Sequence, residues 1–254
     1  MPVYLGATPI AALELGTTDV THVYLGATPV YAPAAGPGIT VIDTATTVYN
    51  TATQSPTFTF TISPVQNDVI VLFAAAVNSL AALNAVAEWT PSITPTGTVT
   101  QTACAMAVLH HVVTAGEDAA NTVTWTLTNL FQATRQGALA ACVVRGVNTT
   151  TPVDAFGTGV IATVVTPHDL PAVVGADITS SNGLVLRAIA RDGATAYTSV
   201  PAGHTQLASS GPTQAIWLGR RDATASAGVA IPTASITPSV ADEAVAVTLV
   251  LTAA

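Results

Sequence analysis

The stretch Asn182-Gly183-Leu184-Val185-Leu186-Arg187-Ala188-Ile189-Ala190-Arg191-Asp192-Gly193 decides the fold class. A run rich in Leu, Val and Ile lies between Asn-Gly and Asp-Gly, dipeptides that readily supply the positive φ of type I′ hairpin turns. It predicts a strand over Leu184 to Ala190, with Asp192-Gly193 turning the chain into another over Thr195 to Val200. Downstream, Ala215 to Arg221, Ala227 to Ile236 and Ala244 to Thr252 continue the β pattern. Upstream it covers Ile39 to Val48, Thr57 to Ile62, Val69 to Val77, Thr98 to Thr114, Thr122 to Thr128 and Ala138 to Val144. Only Leu80 to Glu88, rich in Ala and Leu, reads as a short helix. Many strands, frequent turns and no βαβ alternation predict an all-β, antiparallel, jelly-roll-like β-sandwich over residues 39–254, as one domain.

The residues before it are of another kind. Val-Tyr-Leu-Gly-Ala-Thr-Pro occurs twice, at Val3 to Pro9 and Val23 to Pro29, in a leader that ends in Pro33-Ala34-Ala35-Gly36-Pro37-Gly38. Val-Tyr-Leu signals a short strand, Gly6 and Gly26 supply turns, and Pro9 and Pro29 end any pairing that needs an amide donor. Each copy is too short to bury a face alone. Residues 1–38 are therefore expected to form a small β-repeat module that pairs internally or adds strands to a partner, with Val3, Tyr4, Leu5, Val23, Tyr24 and Leu25 as attachment residues.

Composition narrows the function classes. Half of the 254 residues are apolar and 8% are charged, far below the ~25% of ordinary soluble domains, so a membrane protein is the first alternative. The most apolar stretch, Val69 to Val86, is broken by Asn78, Ser79 and Asn84 and lacks flanking Lys or Arg. A spanning helix needs ~20 mostly apolar residues with basic anchors. An outer-membrane barrel needs aromatic girdles, and aromatics are 5% here. No membrane span is expected, and the weak surface charge suits a subunit covered by neighbours, such as a homo-oligomer. All six basic residues are Arg and the net charge is −8, which repels phosphate and excludes nucleic acid as a partner. Met1-Pro2-Val3-Tyr4 lacks the basic and apolar regions of a Sec signal peptide. The chain is thus expected to stay in the cytoplasm where it is made until assembly, with Cys104 and Cys142 as buried thiols.

No constellation points to catalysis. His110-His111 would place its rings on opposite faces of a strand and has no third ligand at zinc-like spacing, so neither metal nor cofactor is expected. His168-Asp169, between Pro167 and Pro171, reads as a solvated turn. Gly-x-Ser-x-Gly is absent. Glu88, Glu117, Asp118, Asp154, Asp242 and Glu243 are the acids available for a paired-carboxylate site, and the pairs Glu117-Asp118 and Asp242-Glu243 fit solvated loops better. Gly157-Thr158-Gly159 lacks the following helix and Lys of a phosphate loop. These absences point away from an enzyme. A sugar site would use exposed aromatics; Trp125 and Trp217 fall in alternating strands and read as core. Trp89, before Thr90-Pro91 at a loop edge, is left as the candidate glycan contact.

The run from Pro9 to Tyr31, with its Leu-Gly, spaced Val and returning Val-Tyr-Leu-Gly, resembles a segment of minor tail and other virion structural proteins of tailed, siphovirus-like phages of GC-rich actinobacteria. Arg145-Gly146-Val147-Asn148-Thr149-Thr150-Thr151-Pro152-Val153-Asp154 is similar to a passage in their jelly-roll-like domains. The resemblance implies a non-enzymatic virion subunit, most naturally a minor tail protein mounted on other tail subunits, with a capsid surface protein as the alternative. A module binding host-envelope glycans is the reading from a different class, and it is compatible with a virion location.

Overall fold

A computed structural model describes residues 38–53, 55–77, 86–93, 98–100, 104–130, 135–191, 193, 196–211, 214–238 and 242–254, and before them the strand residues 4–5, 8–9, 14–15, 18–19, 23–25 and 28–31. The chain divides into two units, Met1–Gly38 and Ile39–Ala254.

In the first unit, three hairpins follow one another: β1 (Tyr4–Leu5) with β2 (Thr8–Pro9), β3 (Glu14–Leu15) with β4 (Thr18–Asp19), and β5 (Val23–Leu25) with β6 (Thr28–Tyr31). Leu5 is opposite Thr8, Leu15 opposite Thr18 and Leu25 opposite Thr28, so two residues join the strands each time. The sequence repeats in step, with Leu-Gly-x-Thr at 5–8, 15–18 and 25–28. The repeat thus has three units spaced by ten residues, where the identical heptapeptides alone suggest two. Pro9, opposite Tyr4, is the last described residue of its pairing, whereas Pro29, opposite Tyr24, is followed across a register shift by a further pair, Val23 with Tyr31. Val3 lies outside the described residues.

The second unit is antiparallel throughout. Its first half comprises β7 (Thr40–Thr53), β8 (Thr57–Thr59), β9 (Val69–Val77), β10 (Thr90–Pro91), β11 (Thr98–Thr100), β12 (Cys104–Val112), the short helix α1 (Ala115–Ala119), β13 (Thr124–Thr126) and β14 (Arg135–Arg145). Its second half comprises β15 (Val153–Val165), β16 (His168–Leu170), β17 (Leu184–Arg191), β18 (His204–Ser210), β19 (Ala215–Arg221), β20 (Ala234–Ile236) and β21 (Asp242–Leu251). One sheet has the order β10-β12-β9-β14-β7 with β11 also on β12, and the other β18-β19-β17-β21-β15. Jelly rolls are built from two Greek keys, in which strands pass back and forth between sheets. Among the described residues, the chain instead completes one sheet before crossing from β14 to β15. The β-sandwich expectation holds, whereas the strand order does not spell a jelly-roll path.

The two halves repeat one plan. Replacing β7, β9, β10, β12 and β14 by β15, β17, β18, β19 and β21 converts the first strand order into the second, and the small sheet β13-β8 corresponds to β20-β16. Details coincide as well. Asn67 and Asn182, each two residues before the central strand, have φ 72° and 63°; Glu88 and Gly203 both have φ 70°. One residue later, Trp89 N donates to Val86 O and His204 N to Pro201 O. A bulge skips Ile42 opposite Val143/Val144 and Asp154 opposite Val250/Leu251.

Burial explains the continuous apolar runs. The inner faces meet in one core, with Val69, Val71, Phe73, Met106, Val108, Ala140 and Cys142 from one sheet against Leu186, Ala188, Ile216, Leu218, Val247 and Leu249 from the other. The outer faces are covered too. Phe58, Trp89, Trp125 and Leu127 lie on Ile70, Leu72, Leu139 and Ala141, and Leu170, Tyr197 and Ile236 lie on Ile189, Trp217 and Ala246. Central strands buried on both sides have no reason to alternate.

Several local expectations change. The Asp192-Gly193 turn does not lead into a paired strand: β17 pairs with β19 and β21, and Ala196 to Val200 holds only the bridge Tyr197–Pro238. Ala227 to Ile236 is strand only over Ala234–Ile236. His168-Asp169 lies in β16 with the His168 ring fully buried, its Nδ1 3.3 Å from the Tyr197 hydroxyl. Residues 80–85 of the expected short helix lie outside the described residues, and 87–88 form a turn. Cys104 and Cys142 are buried thiols that form no disulfide. Among the described residues, no helix is long and apolar enough to cross a membrane.

Candidate functional site

Two features carry chemistry or contact. In the first unit, each hairpin forms a sheet of its own. The outer backbone edges of Tyr4–Leu5 and Val23–Leu25 therefore pair with no other described strand, and such edges are templates for a further strand.

The second feature is a cleft of about 740 Å³ at the end of β12, lined by Glu88, Thr90, His110, His111, Glu117 and Thr149, among others. Alternation along β12 sends its two histidines to opposite faces. His110 Nδ1 is 2.9 Å from Ser92 Oγ, and burial, with the adjacent His111 adding to it, lowers the His110 pKa. His111 turns outward between Trp89 and Trp125, with ring centroids 5.4 and 5.0 Å away. Its Nδ1 is 2.8 Å from the Glu88 carbonyl, and its Nε2 is 3.0 Å from both Glu117 carboxylate oxygens. Both ring nitrogens thus face acceptor oxygens.

Local sequence places Glu117. Thr114 caps α1, the Glu117 amide donates to Thr114 Oγ1, and the Thr114 amide donates back to Glu117 Oε2 at 2.7 Å, a capping box. Burial raises the Glu117 pKa, but the Thr114 amide, the His111 ring and the Thr114 hydroxyl together hold it below the usual carboxylate value. The expected solvated turn at Glu117-Asp118 is thus a helix whose Glu117 carboxylate is hydrogen-bonded to His111. Ser92 and His110 make a hydroxyl–imidazole contact, and among the described residues no carboxylate is hydrogen-bonded to His110 to complete a nucleophilic relay. Among the described residues, no three His, Cys, Asp or Glu side chains are placed to hold a metal.

Trp89 does not provide the exposed ring expected of it. It is about nine-tenths buried, edge-on to Phe58 and Trp125 at centroid distances of 6.1 and 6.2 Å. Trp125 and Trp217 are core residues, as their strand positions predict. Asp242 and Glu243 open β21. Asp154 acts as a cap, accepting from the amides and hydroxyls of Thr179 and Ser180.

Comparison with protein-family models, with curated proteins and with solved structures gives no match.

Proposed function

We propose that the chain is a non-enzymatic structural subunit of a virus particle, a minor tail protein mounted through its N-terminal hairpins on a neighbouring virion subunit. The observation that carries this reading is the threefold Leu-Gly-x-Thr repeat, each unit closing a hairpin of the same register with open edges. Three short edges spaced by ten residues are a poor core and a good ladder for backbone pairing, and β-augmentation would satisfy their outward amides and carbonyls. The sandwich supports the same reading as a passive body, since both faces of both sheets are already covered by its own side chains. The test is incorporation: a chain beginning at Gly38 should fold yet be missing from assembled particles. Normal recovery of that shortened chain would refute the attachment role.

A further inference from the structure

Four of the six Arg residues, Arg187, Arg191, Arg220 and Arg221, lie on the paired strands β17 and β19. Arg187 is opposite Gly219, and Arg221, two residues along, is opposite His204 of β18, so Arg187, Arg221 and His204 share the outer face of the sheet. A cleft of about 330 Å³ opens there, lined by these three together with Asp222, Pro232 and Thr233, among others.

The polar groups of this cleft are incompletely matched. Arg187 is 1% exposed, and its Nη2 donates to the Pro232 carbonyl. Its Nε and Nη1 have no hydrogen-bond partner among the described residues. His204 donates from Nδ1 to the Ala202 carbonyl at 2.9 Å, and its buried Nε2 likewise has none. Among the described residues, no carboxylate is within ion-pairing distance of Arg187 or Arg221. Asp222, the acid in the lining, accepts from Thr205 Oγ1 at 2.6 Å. Burial first, and then the charge of Arg221, pull the Arg187 pKa down to about 10, so the guanidinium remains charged at neutral pH beside a second cation. A buried charge without a partner costs several kcal/mol.

The equivalent place in the first half shows a matched version. By register, His110 and His111 correspond to Arg220 and Arg221, and Trp89-Thr90 to His204-Thr205. There Glu117 places a carboxylate oxygen 3.0 Å from His111 Nε2.

We propose that the Arg187–Arg221 cleft binds an oxyanion of the phosphate or sulfate class, with the two guanidinium groups as a cationic clamp. Guanidinium forks fit such oxygens in pairs, and the ligand would supply the acceptors that Arg187 Nε and Nη1 lack. The test uses the full chain. Melting is followed in inorganic phosphate, in sulfate and in chloride of matched ionic strength, and phosphate affinity is measured by calorimetry. Phosphate at about 100 times its Kd should raise Tm by about 5–10 °C over chloride. Arg221→Gln, at a partly exposed position, should keep its circular dichroism spectrum and weaken binding at least tenfold. Asp222→Asn removes a repelling charge and should tighten it. Glycerol phosphate run beside inorganic phosphate separates an ester headgroup, if it binds at least as tightly, from a free ion, if it does not bind. Absence of saturable binding of phosphate and sulfate, or an unchanged affinity in Arg221→Gln, would overturn the proposal.

Discussion

Asp154→Asn should cost about 2 kcal/mol. The Asp154 carboxylate accepts from the Thr179 amide at 3.1 Å and hydroxyl at 2.5 Å, and from the Ser180 amide at 3.0 Å and hydroxyl at 2.8 Å. Hydrogen bonds to a charged acceptor contribute ~1.5–3 kcal/mol each when shielded. Asp154 is part-buried, so water competes, and Asn keeps one acceptor oxygen while turning an NH₂ toward donors. The net loss is then nearer that of a single charged bond than of four. At ~2–4 °C per kcal/mol for a domain this size, Tm should fall by about 4–8 °C at pH 7. The pH dependence follows from the sign of the shift. Burial opposes ionisation, yet the Thr179 and Ser180 bonds outweigh it and hold the Asp154 pKa below its ordinary 3.8. A lowered carboxylate stabilises the fold above its unfolded pKa, and that contribution disappears as pH falls through the folded value. The Tm gap between wild type and Asp154→Asn, followed by circular dichroism, should therefore narrow below about pH 4. Asp43 supplies the counterpart cap in the first half, accepting from the Thr61 amide and hydroxyl and the Ile62 amide, so Asp43→Asn should lose a similar amount. A gap under about 1 °C at pH 7, or one that persists on acidification, would refute the reasoning.

Gly157→Val should destabilise by about 1–3 kcal/mol or more, because even a Cβ at Gly157 would fall 2.0 Å from the Ala172 carbonyl oxygen; denaturant melts give the value. Trp89→Ala should cost about 3–5 kcal/mol of fold stability, since the ring is wedged against Phe58, Trp125 and His111. A near-neutral result would restore Trp89 as a surface contact. Burial pushes the Cys142 thiol up to about 12, so neither it nor the buried Cys104 should react with a thiol reagent in the native state, and both should do so in denaturant. Leu25→Pro removes one amide donor from β5 without changing charge; incorporation into particles should fall while the melting of the sandwich stays unchanged.

The central strands were legible because burial on both faces leaves a contiguous apolar signature. Val69–Val77 and Ala215–Arg221 have the bounds their sequences predict. β15 escaped sequence reading for the opposite reason. Its Gly157 and Gly159 look like loop residues, yet at Gly157 glycine is required because the Ala172 carbonyl crosses directly over the strand. Asp192-Gly193 cannot say where the chain goes next, and the partners of β17 come from 215–221 and 242–251. Thr114-x-x-Glu117 was a readable capping box obscured by the surrounding β pattern. The third decapeptide was hidden because Leu13 to His22 keeps only Leu-Gly-x-Thr of its neighbours. Side-chain convergence, as at Arg187 and Arg221, has no signature along the chain, since register across three strands creates it.

The repeated plan of the two halves bears on where specificity resides. Both sheets end in a tandem of basic-type residues at the same register, His110-His111 and Arg220-Arg221, beside a turn with the same positive φ. What differs is the segment that follows. After β12 the chain forms α1, whose capping box holds Glu117 against His111. After β19 it runs through Asp222 and Ala223 without a described helix, and Asp222 is bound by Thr205. The scaffold thus fixes the position of each pair, and the loop decides whether its charge is answered from within. On this argument, moving an acceptor into the second cleft should mimic the first. Thr233→Glu, in the lining beside Pro232, should pair with the guanidinium groups, raise Tm in chloride and abolish the further rise given by phosphate. If Thr233→Glu leaves both melts unchanged, charge matching by the following loop is not what distinguishes the two clefts.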